Sequence, residues 1–361
     1  MRADGFNWKK EQYMKIFLTT LLIGIIGIFF SCEKQAVTES KKAKWIENAF
    51  LSLESNNYPS VKAISWWNED FDNSYLKVNS SSESLAAYKN GVNSATFVTG
   101  ANISANKLLA PILGIYHAAY PDFGGTEDVV TAERMSNFET LVNKNIVWAY
   151  FSNNWYDAIQ FPSAEVSTIN SAGKMPFIRI MPRSNFDEGG PDPTYTMQKI
   201  IDGDFDVALK QWAIDASNTN IPLLVEFGTE VNGNWFPWNG QYNGAGETSG
   251  YGDPNLFDGV ERFRDAYRHI IDMCNANGAS NITWFFHVDA YSEPNETWNT
   301  IDLYYPGDNY IDWLGVSVYG PQKNGEDYQE FADIMNDIYP ALSNLSDKPI
   351  AVLEFAITEL E

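Results

Sequence analysis

Pro222–Gly240 reads PLLVEFGTEVNGNWFPWNG, and the rest of the chain is organised around it. Pro222 to Phe227 is a short apolar run bounded by Pro and Gly, the pattern of a strand buried on both faces. Behind it comes a loop with one carboxylate, Glu230, the asparagines Asn232 and Asn234, and the aromatic residues Trp235, Phe236 and Trp238. Sugar chemistry needs this combination. Aromatic faces stack on the C–H faces of pyranose rings, amides bond the hydroxyls, and a carboxyl group handles the proton. From composition alone the aromatic residues read equally well as packing over a core, with Glu230 a solvated loop residue.

Outward from this stretch, strand and helix alternate as in a parallel barrel. The pattern predicts strands over Ile112–Tyr116, Ile146–Phe151, Phe177–Met181, Leu223–Phe227, Ile282–His287, Ile311–Val318 and Ile350–Phe355. Helices are predicted over Val130–Asn143, Asp204–Ser217 and Leu256–Ala276. Upstream, Lys41–Ser55 has apolar residues at helical spacing, Val61–Trp67 (VKAISWW) reads as an eighth strand, and Ser80–Asn90 as another helix. Eight such strands predict an α/β fold, a (β/α)8 TIM barrel, and 361 residues suit one barrel of about 250 residues plus extensions.

Asp and Glu outnumber Lys and Arg by 47 to 24, a formal charge of −23. That excludes nucleic acid and anionic membrane surfaces as partners, because phosphate binding needs clustered cations. A neutral polysaccharide fits this charge better than a polyanion. Cys32 and Cys274 make no disulfide framework. The three histidines show no zinc spacing, and neither metal nor cofactor is expected.

Lys15 followed by the apolar run Ile16–Phe30 reads as a signal peptide, with the start at Met14 or at Met1. The run ends in F-F-S-C, which resembles a bacterial lipobox with Cys32 as the lipidated residue. Residues 1–32 are then a leader, 33–40 a polar tether and 41–361 the barrel. The expected location is the bacterial cell envelope, through a lipid anchor, or simple secretion. A monomer is expected.

Glu230–Trp238, E-V-N-G-N-W-F-P-W, resembles the acid/base motif of glycoside hydrolase family 26, the retaining β-mannanases and their relatives on a (β/α)8 barrel. The His and Arg usual one and four residues before that Glu are here Thr229 and Glu226. The resemblance implies Glu230 as acid/base and Glu354, in I-A-V-L-E-F-A, as nucleophile. A Glu ending an apolar strand is costly to bury unless it is used or paired. Tyr319, in S-V-Y-G, resembles the tyrosine that bonds the nucleophile. Trp66 or Trp67 would floor the cleft, and strand alternation turns one inward without saying which. Asn232, Trp235 and Trp238 are expected to line the cleft, and His117 and His287 are candidates for sugar hydroxyls. Arg179 and Glu226 point into the barrel on neighbouring strands and read as a buried pair. Glu354 is expected to stay ionised while Glu230, facing aromatics, holds its proton.

In the family the two glutamates end strands 4 and 7. Here they end the fourth and seventh strands downstream of residue 100, and the segment resembling strand 8 comes first. A circular permutation is therefore expected, with Val61–Trp67 supplying strand 8; a piece of a tandem array is the other reading. The implied function is a retaining endo-β-glycanase acting on β-1,4-mannan-type or related polysaccharide. The alternative is a non-catalytic glycan-binding lipoprotein on the same barrel.

Overall fold

The computed structural model describes residues 40–186 and 189–360. Eight strands form the barrel: β1 Val61–Trp67, β2 Ile115–Tyr120, β3 Trp148–Asn154, β4 Met175–Met181, β5 Leu223–Phe227, β6 Ile282–Asp289, β7 Trp313–Tyr319 and β8 Ile350–Ala356. Each is parallel to its neighbours, and β1 pairs with both β2 and β8, so the sheet closes. Trp67 lies opposite Tyr120 on one side of β1, and Trp66 opposite Phe355 on the other. Closure removes both sheet edges and lets every strand bury both faces, which is why the strands read as continuous apolar runs.

Among the described residues seven helices surround the barrel: α1 Lys41–Glu54, α2 Ser82–Val92, α3 Ala132–Val142, α4 Ser163–Ser171, α5 Asp206–Thr219, α6 Asp258–Ala276 and α7 Phe331–Leu345. Shorter turns of helix occupy Met197–Ile201 and Ile301–Tyr304. Helix α1 precedes β1 and packs between α7 and α2, so it fills the place of a helix following β8. It buries Trp45, Ile46, Ala49, Phe50 and Leu53, and Ser40 caps it by accepting from the Ala43 N–H at 3.1 Å. Ser40 Oγ also donates to Glu359 Oε1 at 2.6 Å, while Ser80 and Ser84 donate to Glu359 Oε2, so the two ends of the barrel unit meet.

Some boundaries differ from the pattern. Strand β2 starts at Ile115; Ile112 and Leu113 are 88% and 82% exposed on the underside. Helix α7 was not legible because Pro340 sits inside it, and in α4 (SAEVSTINS) all but Ala164 and Glu165 are residues of weak helix preference.

The barrel interior has two layers. The lower is aromatic: Phe177 meets Phe285 with centroids 4.6 Å apart, and Phe285 meets Trp313 at 5.5 Å. A hairpin, Ile103–Ser104 with Lys107–Leu108, covers the N-terminal strand ends beneath it. The Leu108 N–H donates to Thr283 Oγ1 at 2.8 Å, Trp313 Nε1–H donates to Leu108 O at 3.1 Å, and Lys107 pairs with Asp312 at 2.9 Å. The upper layer is polar and opens at the C-terminal strand ends, where sites on such barrels are built.

Candidate active site

A cavity of about 870 Å³ sits over those C-terminal ends, and Trp67, Arg179, Glu230, Trp235, Tyr319 and Glu354 all line it. Glu230 follows β5 through a sharp turn. Gly228 has φ +64, and a Cβ there would lie 2.8 Å from Phe263 and 3.0 Å from Trp238. Glu230 itself has φ +48, a left-handed conformation that a non-glycine residue holds only when its surroundings enforce it. They do so through Trp235, whose indole folds back over Gly233 and donates from Nε1 to Glu230 Oε2 at 2.7 Å. A Cβ on Gly233 would stand 2.1 Å from that indole, so the N-G-N step is what allows the contact.

Glu354, at the end of β8, is 4% exposed. Tyr319 O–H donates to its Oε2 at 2.8 Å, and Arg179 Nη2 lies 3.2 Å from Oε1. Arg179 also reaches Glu127 at 2.8 Å and Glu226 at 3.5 Å, with its guanidinium 5.0 Å from the ring centroids of both Trp67 and Tyr150. The expected Arg179–Glu226 pair is thus present, within a larger cluster. Burial pushes Glu354 up to about 7; Arg179 opposes this, the Glu230 charge adds to it, and His287 and Tyr319 oppose it. The expectation that Glu354 ionises readily does not hold, because sequence shows its partners but not how completely it is enclosed.

Beneath this pair lies a buried ionic network. His287 Nδ1 stands 3.0 Å from Glu226 Oε2 and 2.8 Å from Thr229 Oγ1, and Nε2 stands 2.9 Å from Ser317 Oγ. Burial opposes charge on both partners, yet His287 is held above its ordinary value by Glu226. Glu226 in turn is held below its own by His287, Arg179 and Tyr150. Thr229 and Glu226, the two positions where the motif departs from the family pattern, are therefore both tied to one histidine.

The sequence candidates divide cleanly. Glu230, Glu354, Trp235, Tyr319 and Trp67 face the cavity together. Trp67, not Trp66, forms the floor, stacked on Tyr120 at 4.0 Å. Trp66 points outward against Tyr88 and Phe355, fully buried, with Nε1–H donating to Leu76 O. His287 lies below the cavity with both ring nitrogens engaged. His117 is fully buried on the outer side of β2, bonded to Tyr88 O–H and Asn145 O, away from any sugar. Asn232 is also fully buried; its amide exchanges bonds with the Asp289 backbone at 2.7 and 3.0 Å and so fixes the β5 loop to the β6 loop. Trp238 stacks on Phe236 at 4.5 Å and donates to Thr229 O, packing beneath the cleft rather than lining it. Cys32 lies outside the described residues. Lining residues that the sequence reading missed include Glu69, Phe71, Glu127, Phe186, Asp289 and Tyr291. Glu69, Asp289 and Tyr291 carry one signal, position at or just past a strand end; Phe71, Glu127 and Phe186 carry none. Among the described residues no group of three or more His, Cys, Asp or Glu could hold a metal ion.

Residues 192–348 match the family model described as glycosyl hydrolase family 26. Endoglucanase H of Acetivibrio thermocellus is 31% identical over 169 residues, 46% of this chain and 17% of that protein. Mannan endo-1,4-beta-mannosidase A and B of Caldalkalibacillus mannanilyticus is 26% identical over 146 residues, 40% of this chain and 24% of that protein. The chain thus spans only 17–24% of these curated relatives. Among solved structures, the family 26 domain of a Prevotella bryantii endo-beta-mannanase/endo-beta-glucanase is 14% identical, covering 64% of this chain and 75% of that one with a TM-score of 0.44.

Proposed function

We propose that the chain, whose residues 192–348 match glycosyl hydrolase family 26, is a family 26 retaining endo-β-glycanase cutting β-1,4-mannan-type or related neutral polysaccharide. The observation that carries this reading is two carboxyl groups facing one cavity in unequal settings: Glu230 held by an indole N–H, Glu354 held by Tyr319 and Arg179. Glu230 passes its proton to the departing glycosidic oxygen as that C–O bond breaks. Glu354 attacks the anomeric carbon and forms the glycosyl ester. Glu230, now a carboxylate, takes a proton from water, whose oxygen displaces Glu354 and leaves the anomeric configuration unchanged overall. Trp67 supplies the apolar floor for the sugar at the point of cleavage. The relatives' names cover glucan, mannan and β-1,3-xylan, which favours a neutral β-linked polysaccharide. The reading extends to a monomer anchored to a bacterial envelope through Cys32, which rests on residues 15–32 alone.

Reducing-end release from mannan, glucomannan, mixed-linkage glucan and xylan tests the activity. Glu230→Ala and Glu354→Ala should each lower turnover by about a thousandfold or more. On an activated aryl β-glycoside, azide should restore Glu230→Ala and yield the β-glycosyl azide, because the ester still forms and the anion needs no base. With Glu354→Ala azide should enter from the opposite face and give the α product. Wild-type protein inactive on every one of these polymers would sink the reading, as would full activity in either variant.

A further inference from the structure

On the wall across the barrel from Glu230 stands a carboxyl group that the mechanism above leaves unused. Glu69 lies two residues beyond Trp67, is 8% exposed, and lines the cavity. Among the described residues it has no hydrogen-bond or ion-pair partner, although its neighbours on both sides are fixed. The Asn68 N–H donates to Tyr120 O at 3.0 Å and Asn68 Oδ1 accepts from the Val78 N–H at 3.0 Å; Asp70 Oδ1 accepts from the Lys77 N–H at 3.0 Å. The nearby cations are engaged elsewhere: Lys77 with Asp122 at 2.9 Å, Arg179 with Glu127 and Glu354. Burial, then Glu127 and Asp122, push Glu69 up to about 8, so it keeps its proton at neutral pH in the empty cleft.

We propose that Glu69 is a substrate-contacting specificity residue: it bonds a hydroxyl of the sugar unit bound beyond Trp67, on the side away from the departing oxygen, and selects an unsubstituted neutral unit there. The proposal rests on the glycanase reading. The Glu69 carboxyl opens only onto the cleft, so a ligand that displaces the water there must bond it or leave it unpaired. A protonated carboxyl both donates and accepts, which matches a hydroxyl. A uronate unit would bring its carboxylate near those of Glu127 and Asp122, and the neutral Glu69 offers it no cation, so it would be disfavoured. The side follows from Glu230, which must stand at the departing oxygen; the part of the glycan that leaves lies towards Trp235, and the part that stays lies towards Glu69.

The test uses the full chain with neutral β-manno- or β-gluco-oligosaccharides of increasing length and their glucuronate-bearing counterparts. Thermal melts check that each variant is folded. Glu69→Ala should raise KM about tenfold with kcat changed less than about threefold. That effect should vanish on substrates too short to pass Trp67. Glu69→Gln, which still accepts and donates, should stay within about threefold of wild type. Glu69→Lys should raise the uronate-to-neutral ratio of kcat/KM by about tenfold or more. Unchanged KM in Glu69→Ala at every length, with wild type active, overturns this proposal and leaves the glycanase reading standing. If wild type cleaves nothing, quenching of tryptophan fluorescence by the same oligosaccharides decides. Weaker binding by Glu69→Ala supports the contact, and equal or absent binding overturns it.

Discussion

Arg179 reaches Glu127, Glu226 and Glu354 at once, and its guanidinium is held between the rings of Trp67 and Tyr150. That cation is the strongest of the groups opposing the effect of burial on Glu354, which is pushed up to about 7. In the proposed mechanism Glu354 attacks only when ionised. Activity in kcat/KM should fall as pH drops below that value, approaching tenfold per unit. Arg179→Met should move this limb to higher pH, because Glu354 loses the charge that lowers it. It should also cost roughly 3–5 kcal/mol of stability, since Glu226 and Glu127 are left without their cation. A profile flat between pH 5 and 8, read by initial rates on an aryl glycoside, would contradict this account. The residues of this site were unevenly legible. Glu354 stood out because it interrupts an apolar strand, where a polar side chain needs a reason; Tyr319 stood out only by resemblance to the family's tyrosine. Glu69 and Glu127 did not, because 47 acidic residues make one more loop carboxylate uninformative. Asn232 and Trp238 belong to the motif by sequence but serve it from behind, fixing the loop that carries Glu230.

At the level of elements, β1 is paired on both edges and α1 covers the seam it closes. A chain lacking residues 41–67 would expose the facing edges of β2 and β8 and the core that packs on Trp45, Phe50, Ile64 and Trp66. It should show no cooperative thermal transition and no near-ultraviolet circular dichroism. A sharp melt with retained activity would show that β1 is dispensable. The apolar strands were legible because burial on both faces leaves an unbroken run between turn residues. The hairpin under the barrel was not. Its turn places Ala105 and Asn106 at φ +50 and +61, and only the asparagine advertises such a conformation. The same holds for α7, where a proline occupies a helix that tertiary packing of Phe331, Ile334, Met335 and Leu342 sustains.

For the molecule as a whole, Ser40 and Glu359 are 319 positions apart in sequence and 2.6 Å apart in space. A circular permutation predicts that the order of elements can be changed without changing the fold. Residues 40 and 360 joined by a short linker, with new ends opened at the exposed Gly100 ahead of β2, should give a chain that melts cooperatively and keeps the parent's activity within about threefold. An aggregated or inactive product would mean that the present order is needed to fold. The covered underside of the barrel bears on the reaction from the other direction. Leu108, Thr283 and Trp313 bond to one another under the barrel, while Arg179, above the buried Tyr150 and His287, lines the cleft. On the proposed reading a glycan filling the cleft would cover that opening, so the core would exchange protons with water before the glycan binds and after it leaves.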